Sequence, residues 1–396
     1  MLKKMLMCFC LFAYMLGVSA GTDGVVEDNK KGDVAVKNLT RAMTLLDNTI
    51  DKCFKGSDLH MCDLYHLGNG RQEGTADVWP YTAAMEAVNG VMEALQTLKG
   101  NCPELYAKNM ERYKCLMARL FDNLDYYKGT YTLTSYTQTK EWSVYGVHRS
   151  NTKGTAKVEG IENVYDDQMW LVRELVRAYR NTGEKRYLVE AEYLADYVID
   201  GWDCTLDADG HENGGITWGP GYNSKHSCSN APIISPLVWL SQIYKDSKDK
   251  AVWRYVAADG KRKSKKISKH DLYLMFAEKV YEWQKRKLMN EKTGCYWDML
   301  GADGKMRYEN VGGKRYRANV PNGGPVGTEF TYNSGTMLCG AADLLQVTGS
   351  NVYRTDLTQL AKATYLNFRG KARTIDGTAH YPFPYDRDTR HGFNAW

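Results

Sequence analysis

The 396-residue chain places none of its ten cysteines at CxxC spacing and none of its eight histidines in an HExxH pattern. Those absences remove the zinc-ribbon, thioredoxin-type and zinc-protease readings, each of which needs its ligands or thiols at a fixed short spacing. Neither a metal nor a cofactor is expected. Beyond the first twenty residues there is also no apolar run long enough for a transmembrane helix. Phenylalanine is scarce, at 9, against 28 tyrosines and 10 tryptophans. Aromatic residues with a polar edge suit surfaces that stack on a ring while hydrogen-bonding at its rim.

The start of the chain reads as an export signal. Lys3 and Lys4 supply the positive end, Met5 to Leu16 a short apolar core, and Val18-Ser19-Ala20 a small-residue cleavage pattern. Cys8 and Cys10 lie inside the apolar core, which argues against a lipid-modified cysteine. The expected organisation is a signal over 1–20, a flexible, glycine-bearing lead-in over 21–32, and one folded region over 33–396. The product is expected to be a monomer, exported to the periplasm or the exterior. Eight cysteines remain after cleavage. Cys53 with Cys62, and Cys204 with Cys228, are near enough in sequence to pair in an oxidising compartment; buried free thiols are the alternative.

Losing Lys3 and Lys4 lowers the formal charge from +5 to +3. Ten basic and three acidic residues between Lys245 and Lys269 give that segment +7, so the rest of the mature chain carries about −4. Alone, Lys261-Arg262-Lys263-Ser264-Lys265-Lys266 would suit nucleic acid or lipid. No binding motif surrounds it, so a solvated surface loop is expected and nucleic acid is not expected as a partner.

Helical periodicity dominates from Asp33 onward. Leu39, Ala42, Leu46 and Ile50 recur at three- and four-residue steps, and further helices are predicted from about Trp79 to Leu98 and Pro103 to Asp125. Residues 126–164 break the rhythm, with Thr130 to Thr134 alternating as a short strand would. A helix then starts at Tyr165-Asp166 and stops at Thr182-Gly183, and a return helix begins near Tyr187. This hairpin recurs as Tyr332-Asn333 … Thr348-Gly349, more loosely from Ser229-Asn230 to Ile243-Tyr244, and from Asp77-Val78-Trp79. Repeated helical hairpins imply a stacked or closed helical array. The polar residue opening each repeat then lines one mouth of it. Long glycine- and aromatic-rich loops over 126–164, 201–228 and 290–328 favour a sugar-binding array over a peptide-binding solenoid, whose loops are short and regular.

Within Tyr165-Asp166-Asp167-Gln168-Met169-Trp170, two adjacent acids head a helix. Acids belong there for capping and for the helix dipole, so the pair alone proves no chemistry. The pair does not stand alone. Together with Asn213-Gly214-Gly215-Ile216-Thr217-Trp218, Ser229-Asn230 and Thr331-Tyr332-Asn333-Ser334-Gly335, it makes the chain from residue 33 onward resemble family 76 of the glycoside hydrolases. Those are endo-acting α-1,6-mannanases.

The resemblance implies an all-α (α/α)6 barrel of helical hairpins acting on mannan or manno-oligosaccharides. It implies a retaining mechanism, with Asp166 as nucleophile and Asp167 as acid/base. Retaining enzymes hold their carboxyls about 5–5.5 Å apart, within reach of neighbours at a helix entry whose leading residue departs from helical geometry. Trp218 and Trp79 are candidate sugar platforms, with core packing as the alternative. Asp77, Asn230, Tyr332 and Asn333 open equivalent helices and are candidates for mannose hydroxyls, with simple capping as the alternative; Gln168 joins them from within the matching motif. Asp207-Ala208-Asp209-Gly210-His211 is similar to a calcium loop but lacks the third acid, and Trp218 stands where the bidentate Glu belongs, so no calcium is expected. The chain stops at Gly392-Phe393-Asn394-Ala395-Trp396, where another inner helix is due, so the barrel is expected to be incomplete at its C-terminus. A transglycosidase on the same scaffold and a non-catalytic glycan-binding protein remain the alternatives.

Overall fold

A computed structural model describes residues 24–370, 372–375 and 377–381, with side chains from Val34 onward except at 373, 375 and 378. The signal-like segment 1–20 and the helix start expected at Asn394 lie outside the described residues. Among those described, the chain is predominantly helical, with short two- and three-stranded sheets between the helices. Nine α-helices are present among them: α1 (Gly24–Cys53), α2 (Val78–Leu98), α3 (Pro103–Leu124), α4 (Tyr165–Thr182), α5 (Lys185–Asp200), α6 (Ile234–Ile243), α7 (Lys269–Leu288), α8 (Thr331–Thr348) and α9 (Asn351–Phe368). None is long and apolar enough to cross a membrane.

The chain clusters into two compact units, residues 1–124 with Arg180–Gly183, and Asp125–Tyr179 with 184–396. In the first, α2 and α3 form a helical hairpin, and α1 packs on α2. Val88, Met92 and Leu95 of α2 and Met110, Met117 and Leu120 of α3 are buried at the three- and four-residue spacing of amphipathic helices. Helix α1 starts at Gly24, inside the stretch expected to be a flexible lead-in. Only Gly24 and Gly32 oppose helix there, and extending an existing helix adds a hydrogen bond for each residue fixed.

Three of the four repeats start in the second unit. Helices α4 and α8 are both 18 residues long. Each is followed by a left-handed glycine, Gly183 (φ +79°) and Gly349 (φ +69°), which turns the chain into α5 and α9 at no steric cost. The looser third copy is a single 3-10 turn, Ala231–Ile233, leading into the short α6. Helix α6 packs on α7 and α8, and α8 on α9.

Several segments expected to be loops contain strands. Strands β1 (Lys128–Thr134) and β2 (Thr139–Tyr145) form a hairpin ahead of α4. Only the first of these carries an alternating pattern in the sequence. Further on, β3 (Lys225–His226), β6 (Met299–Ala302) and β7 (Asn322–Val326) make a three-stranded sheet with β6 in the centre. The basic run expected as a solvated loop is strand β5 (Arg262–Ser268), paired with β4 (Lys250–Val256). Its lysines stay exposed, as expected. The loop expectation fails because Trp253 and Tyr255 stand opposite Lys265 and Lys263, and Lys265 Nζ sits 4.5 Å from the Trp253 ring. That contact offsets the repulsion along the run.

Many of the tyrosines go to structure rather than to a sugar surface. Their hydroxyls clamp helix-borne acids together with a basic residue. Tyr145 and Lys128 hold Glu190, at 2.8 and 2.7 Å. Tyr281 and Lys285 hold Asp356, at 3.1 and 2.7 Å. In the first unit, Tyr113 and Arg112 hold Asp47, at 3.0 Å each. The largest clamp is Glu192 of α5, which receives Lys269 at 2.6 Å, Tyr244 at 2.8 Å and Tyr273 at 3.1 Å, tying α7 and the end of α6 to one carboxylate. Glu192→Ala is expected to destabilise the fold by about 2–3 kcal/mol, since it removes a half-buried ionic acceptor and strands its donors. Urea denaturation monitored by far-UV circular dichroism measures this, with Glu190→Ala as a parallel case.

Candidate active site

The acid pair occupies the first turn of α4. Three contacts fix that turn. The Tyr165 backbone N–H donates to the Trp218 carbonyl at 2.8 Å. The Tyr165 ring is buried 5.0 Å from that of Tyr197 on α5, in space kept open by Gly201, where a Cβ would come 2.6 Å from the ring. Gln168 receives the Tyr145 N–H at 3.2 Å and donates to the Tyr145 carbonyl at 2.7 Å, locking the end of β2 to the helix.

The loop that carries Trp218 is pinned by a buried ion pair. Lys225 on β3 is 1% exposed and donates to Asp203 at 2.9 Å and to the Gly214 carbonyl at 2.6 Å. Burial pushes the Lys225 ammonium below its usual range, against the pull of Asp203. The other Asp203 oxygen is taken by Thr205, whose hydroxyl donates at 2.5 Å and whose N–H donates at 3.2 Å, so neither buried charge is left unpaired. Asn230 closes the loop from the other side, accepting the Ile216 N–H at 2.8 Å and donating to the Ile216 and His226 carbonyls at 2.9 and 2.7 Å. Gly214 and Gly215 pass beneath Trp283 of α7 with φ of +70° and +78°. A Cβ on Gly215 would fall 2.3 Å from the Trp283 ring.

Trp218 stands on this loop beside the acids. Its ring stacks on His226, 5.0 Å away at 25°, and lies 4.7 Å from Tyr222. Arg317 holds the segment between them by donating to the carbonyls of Pro220, at 3.1 Å, and Tyr222. Burial pushes His226 down to about 4, so the imidazole is neutral under the Trp218 ring at neutral pH.

Asp166 is pushed up to about 6, mainly by burial of its carboxyl. The Cys228 thiol, the Trp218 indole and the backbone N–H groups of Asp166 and Asp167 pull in the opposite direction. Asp166 Oδ1 and Trp218 Nε1 are each buried without a hydrogen bond in the structure, so the pull is incomplete. A desolvated carboxylate oxygen without a donor favours the protonated form. Asp167 is 6% exposed. The Cys228 thiol lies against Asp166, and a third acid whose charge also acts on it is Asp298, itself pushed up to about 6 by burial.

Asp298 precedes β6 and is set by the backbone around it. Ser227 donates its N–H to the Asp298 carbonyl at 2.7 Å and its hydroxyl to the Trp297 carbonyl at 2.6 Å. Asn333, in the first turn of α8, also reaches the Trp297 carbonyl, at 3.4 Å. Gly327 leaves room for Asp298, since a Cβ there would come 2.6 Å from its Cβ. Ser227, ahead of α6, and Asn333, in the first turn of α8, thus bond the same Trp297-Asp298 backbone.

Two expected substrate contacts have other work. Gln168 and Asn230 are fully buried with their amides committed to backbone groups, so they position the acid pair and the Trp218 loop rather than face a ligand. Tyr332 stacks on Phe330 at 5.3 Å with the rings near parallel, and the Asn333 Oδ1 makes no hydrogen bond within the protein. Asp77 and Trp79 belong to the first unit, where Asp77 takes the N-cap position of α2 without a side-chain capping bond. Asp298, Cys228, His226 and Tyr222 are absent from the expected set. Asp207, Asp209 and His211 are the one group of potential metal ligands among the described residues; all are exposed, and Asp207 Oδ1 already accepts the N–H groups of Asp209 and His211.

Gly215→Ala tests the loop. Forcing a Cβ against Trp283 at a left-handed backbone is expected to cost about 2–5 kcal/mol and to release Trp218 from the acid pair. Chemical denaturation reads the first effect and the intrinsic fluorescence of the folded variant the second.

The sequence profile of glycosyl hydrolase family 76 matches residues 81–257 and 265–391, and its break spans the turn of the β4–β5 hairpin and the start of β5. No curated protein matches the chain. Among solved structures, the chain is similar to a family 76 glycoside hydrolase (mannosidase) from Bacteroides thetaiotaomicron, with 19% identity, 87% of this chain and 76% of that one covered, and a TM-score of 0.56. It is also similar to a family 76 enzyme from a bovine strain of that species, at 19% identity and a TM-score of 0.58, covering 87% of this chain and 60% of that one. A third likeness, to a family 76 α-mannanase of Bacteroides thetaiotaomicron, has 15% identity and a TM-score of 0.53, over 85% and 73% of the two chains. These likenesses establish a shared fold, and with the profile matched over most of its length the chain belongs to glycosyl hydrolase family 76.

Proposed function

We propose that the protein is an exported, retaining, endo-acting glycoside hydrolase that cleaves α-1,6-mannosidic bonds in a mannan backbone. Membership of family 76 supports glycoside hydrolysis, and similar structures are described as a mannosidase and an α-mannanase. The observation that carries the reading is the carboxyl pair at the first turn of α4, with one member pushed up to about 6 and Trp218 beside it. Two neighbouring carboxyls are what glycosidic bond cleavage uses; a raised Asp166 by itself suits a proton donor, so the nucleophile role given to it rests on the family resemblance. Export rests on the signal-like residues 1–20.

In this reading Asp166 attacks the anomeric carbon and the bond to the leaving oxygen breaks as Asp167 gives that oxygen its proton. Water then attacks the mannosyl-enzyme ester. Asp167 takes a proton from that water, and Asp166 leaves as carboxylate. Trp218 offers a face for the sugar ring, held by its stack on His226. Asp298 is a third carboxyl beside the thiol that touches Asp166, placed to accept a hydrogen bond from a sugar hydroxyl.

Two measurements test this. On debranched yeast mannan, Asp167→Ala is expected to lose about 10²–10⁴-fold in activity, and Asp166→Ala all measurable turnover, with both still folded by circular dichroism. Full activity in Asp166→Ala would place the nucleophile elsewhere. The pH profile separates the roles. A nucleophilic Asp166 must be ionised, so kcat/KM rises as pH climbs through about 6; were Asp166 the proton donor instead, activity would fall through the same range.

A further inference from the structure

We propose that Cys53 and Cys62 form a cross-strand disulfide in an oxidising compartment, closing the hairpin between α1 and α2. The inference concerns a residue pair outside the acid site and is independent of the catalytic reading. Phe54 pairs with Met61 and Lys55 with His60 in an antiparallel ladder. Cys53 and Cys62 continue that register by one step, and the Cys62 N–H donates to the Cys53 carbonyl at 2.8 Å. Directly opposed residues of a hydrogen-bonded antiparallel pair have Cα atoms about 5.5 Å apart, within the range a disulfide spans.

The register has little freedom to slip. The connecting turn runs through Gly56 at φ +71° and Leu59 at φ +45°, and Leu59 is buried at 3% exposure. A further bond, from the Ala76 N–H to the Met61 carbonyl at 3.0 Å, ties the second strand to the segment entering α2. Cys53 is half-buried and reachable by an oxidant, whereas Cys62 is 3% exposed. The thiols lie close enough that Cys62 adds to burial in raising Cys53.

The other pair suggested by sequence does not meet. Cys204 lies between the bridges Trp202–Ile216 and Leu206–Glu212, whereas Cys228 follows β3, which pairs with β6. Spacing alone treated the two pairs alike; the ladder selects the first.

The chemistry needs a two-electron oxidant, for which a small-molecule disulfide suffices. The Cys53 thiolate attacks one sulfur of oxidised glutathione and releases one glutathione thiolate. The Cys62 thiolate then attacks the Cys53 sulfur of the mixed disulfide and releases the second. The two protons given up by the cysteines pass to the two departing thiolates, and the glutathione disulfide is reduced to two thiols. The bridge would hold the last residue of α1 to the strand that leads, through Ala76, to Asp77 and Trp79.

The test uses the full folded chain. Protein reduced and then equilibrated with a tenfold excess of oxidised over reduced glutathione is unfolded in excess N-ethylmaleimide, digested and weighed. The expected product is one peptide link between Cys53 and Cys62, lighter by about two mass units than the sum of the free thiol peptides, with Cys204, Cys228 and Cys295 fully alkylated. Oxidation should also raise the unfolding midpoint by about 2–4 °C. That rise should vanish in the Cys53→Ser/Cys62→Ser double variant. Full alkylation of Cys53 after oxidation, or a link from either cysteine to a different partner, would overturn the proposal. The mass reading on the unaltered chain stands even if the double variant does not fold.

Discussion

Around the candidate site, the geometry rests on one buried ammonium. Lys225 is the point at which β3, the Gly214–Trp218 loop and the chain after α5 are held in common, through Asp203 and the Gly214 carbonyl. An unpaired charge at this depth costs several kcal/mol, and the pair is tolerable only because the remaining carboxylate oxygen is met by Thr205. The arrangement is therefore all-or-none. With every partner in place, the loop presents the Trp218 carbonyl to the Tyr165 N–H and the first turn of α4 is held. Remove one partner, and a stranded charge opens the same loop to water.

That rigidity gives meaning to the acids' environment. A carboxyl rises in pKa when it is buried and an oxygen lacks a donor, and both conditions hold for Asp166, whose Oδ1 is enclosed without a hydrogen bond. The neighbouring groups that moderate the rise, Cys228 and Trp218, are carried on the stretch that Asn230 and Lys225 fasten. Charge control at the site is thus inherited from backbone packing. Asp298 fits the same scheme, since it is fixed through main-chain bonds to Ser227 and given space by Gly327.

The helical repeats were legible from sequence because two signals agree in them, a 3.6-residue apolar period and a left-handed glycine at each end. Helices α4 and α8 accordingly end where Gly183 and Gly349 stand. The acid pair was legible through the motifs that accompany it. Asp298 was not, because it lies in a stretch without periodicity and gains its setting from residues some seventy positions away at Ser227. Gln168 and Asn230 show a different gap. An amide beside an acid pair reads the same whether it faces a ligand or a backbone, and only the fold reveals that both face backbone. Strand β5 escaped because a lysine run carries no alternation of apolar residues, and its partner tryptophan is needed to see why it pairs.

The contact between Gly215 and Trp283 links two parts of the chain that differ in kind, a loop carrying a sugar-sized aromatic and a helix of the scaffold. Because the indole occupies the volume a side chain at position 215 would need, position 215 is not free to vary while Trp283 stands. In a lineage descending from this protein, a bulkier residue at 215 becomes admissible only after 283 has shrunk. Volume then sets the order of those two steps at this contact, and the left-handed backbone at 215 adds its own restriction.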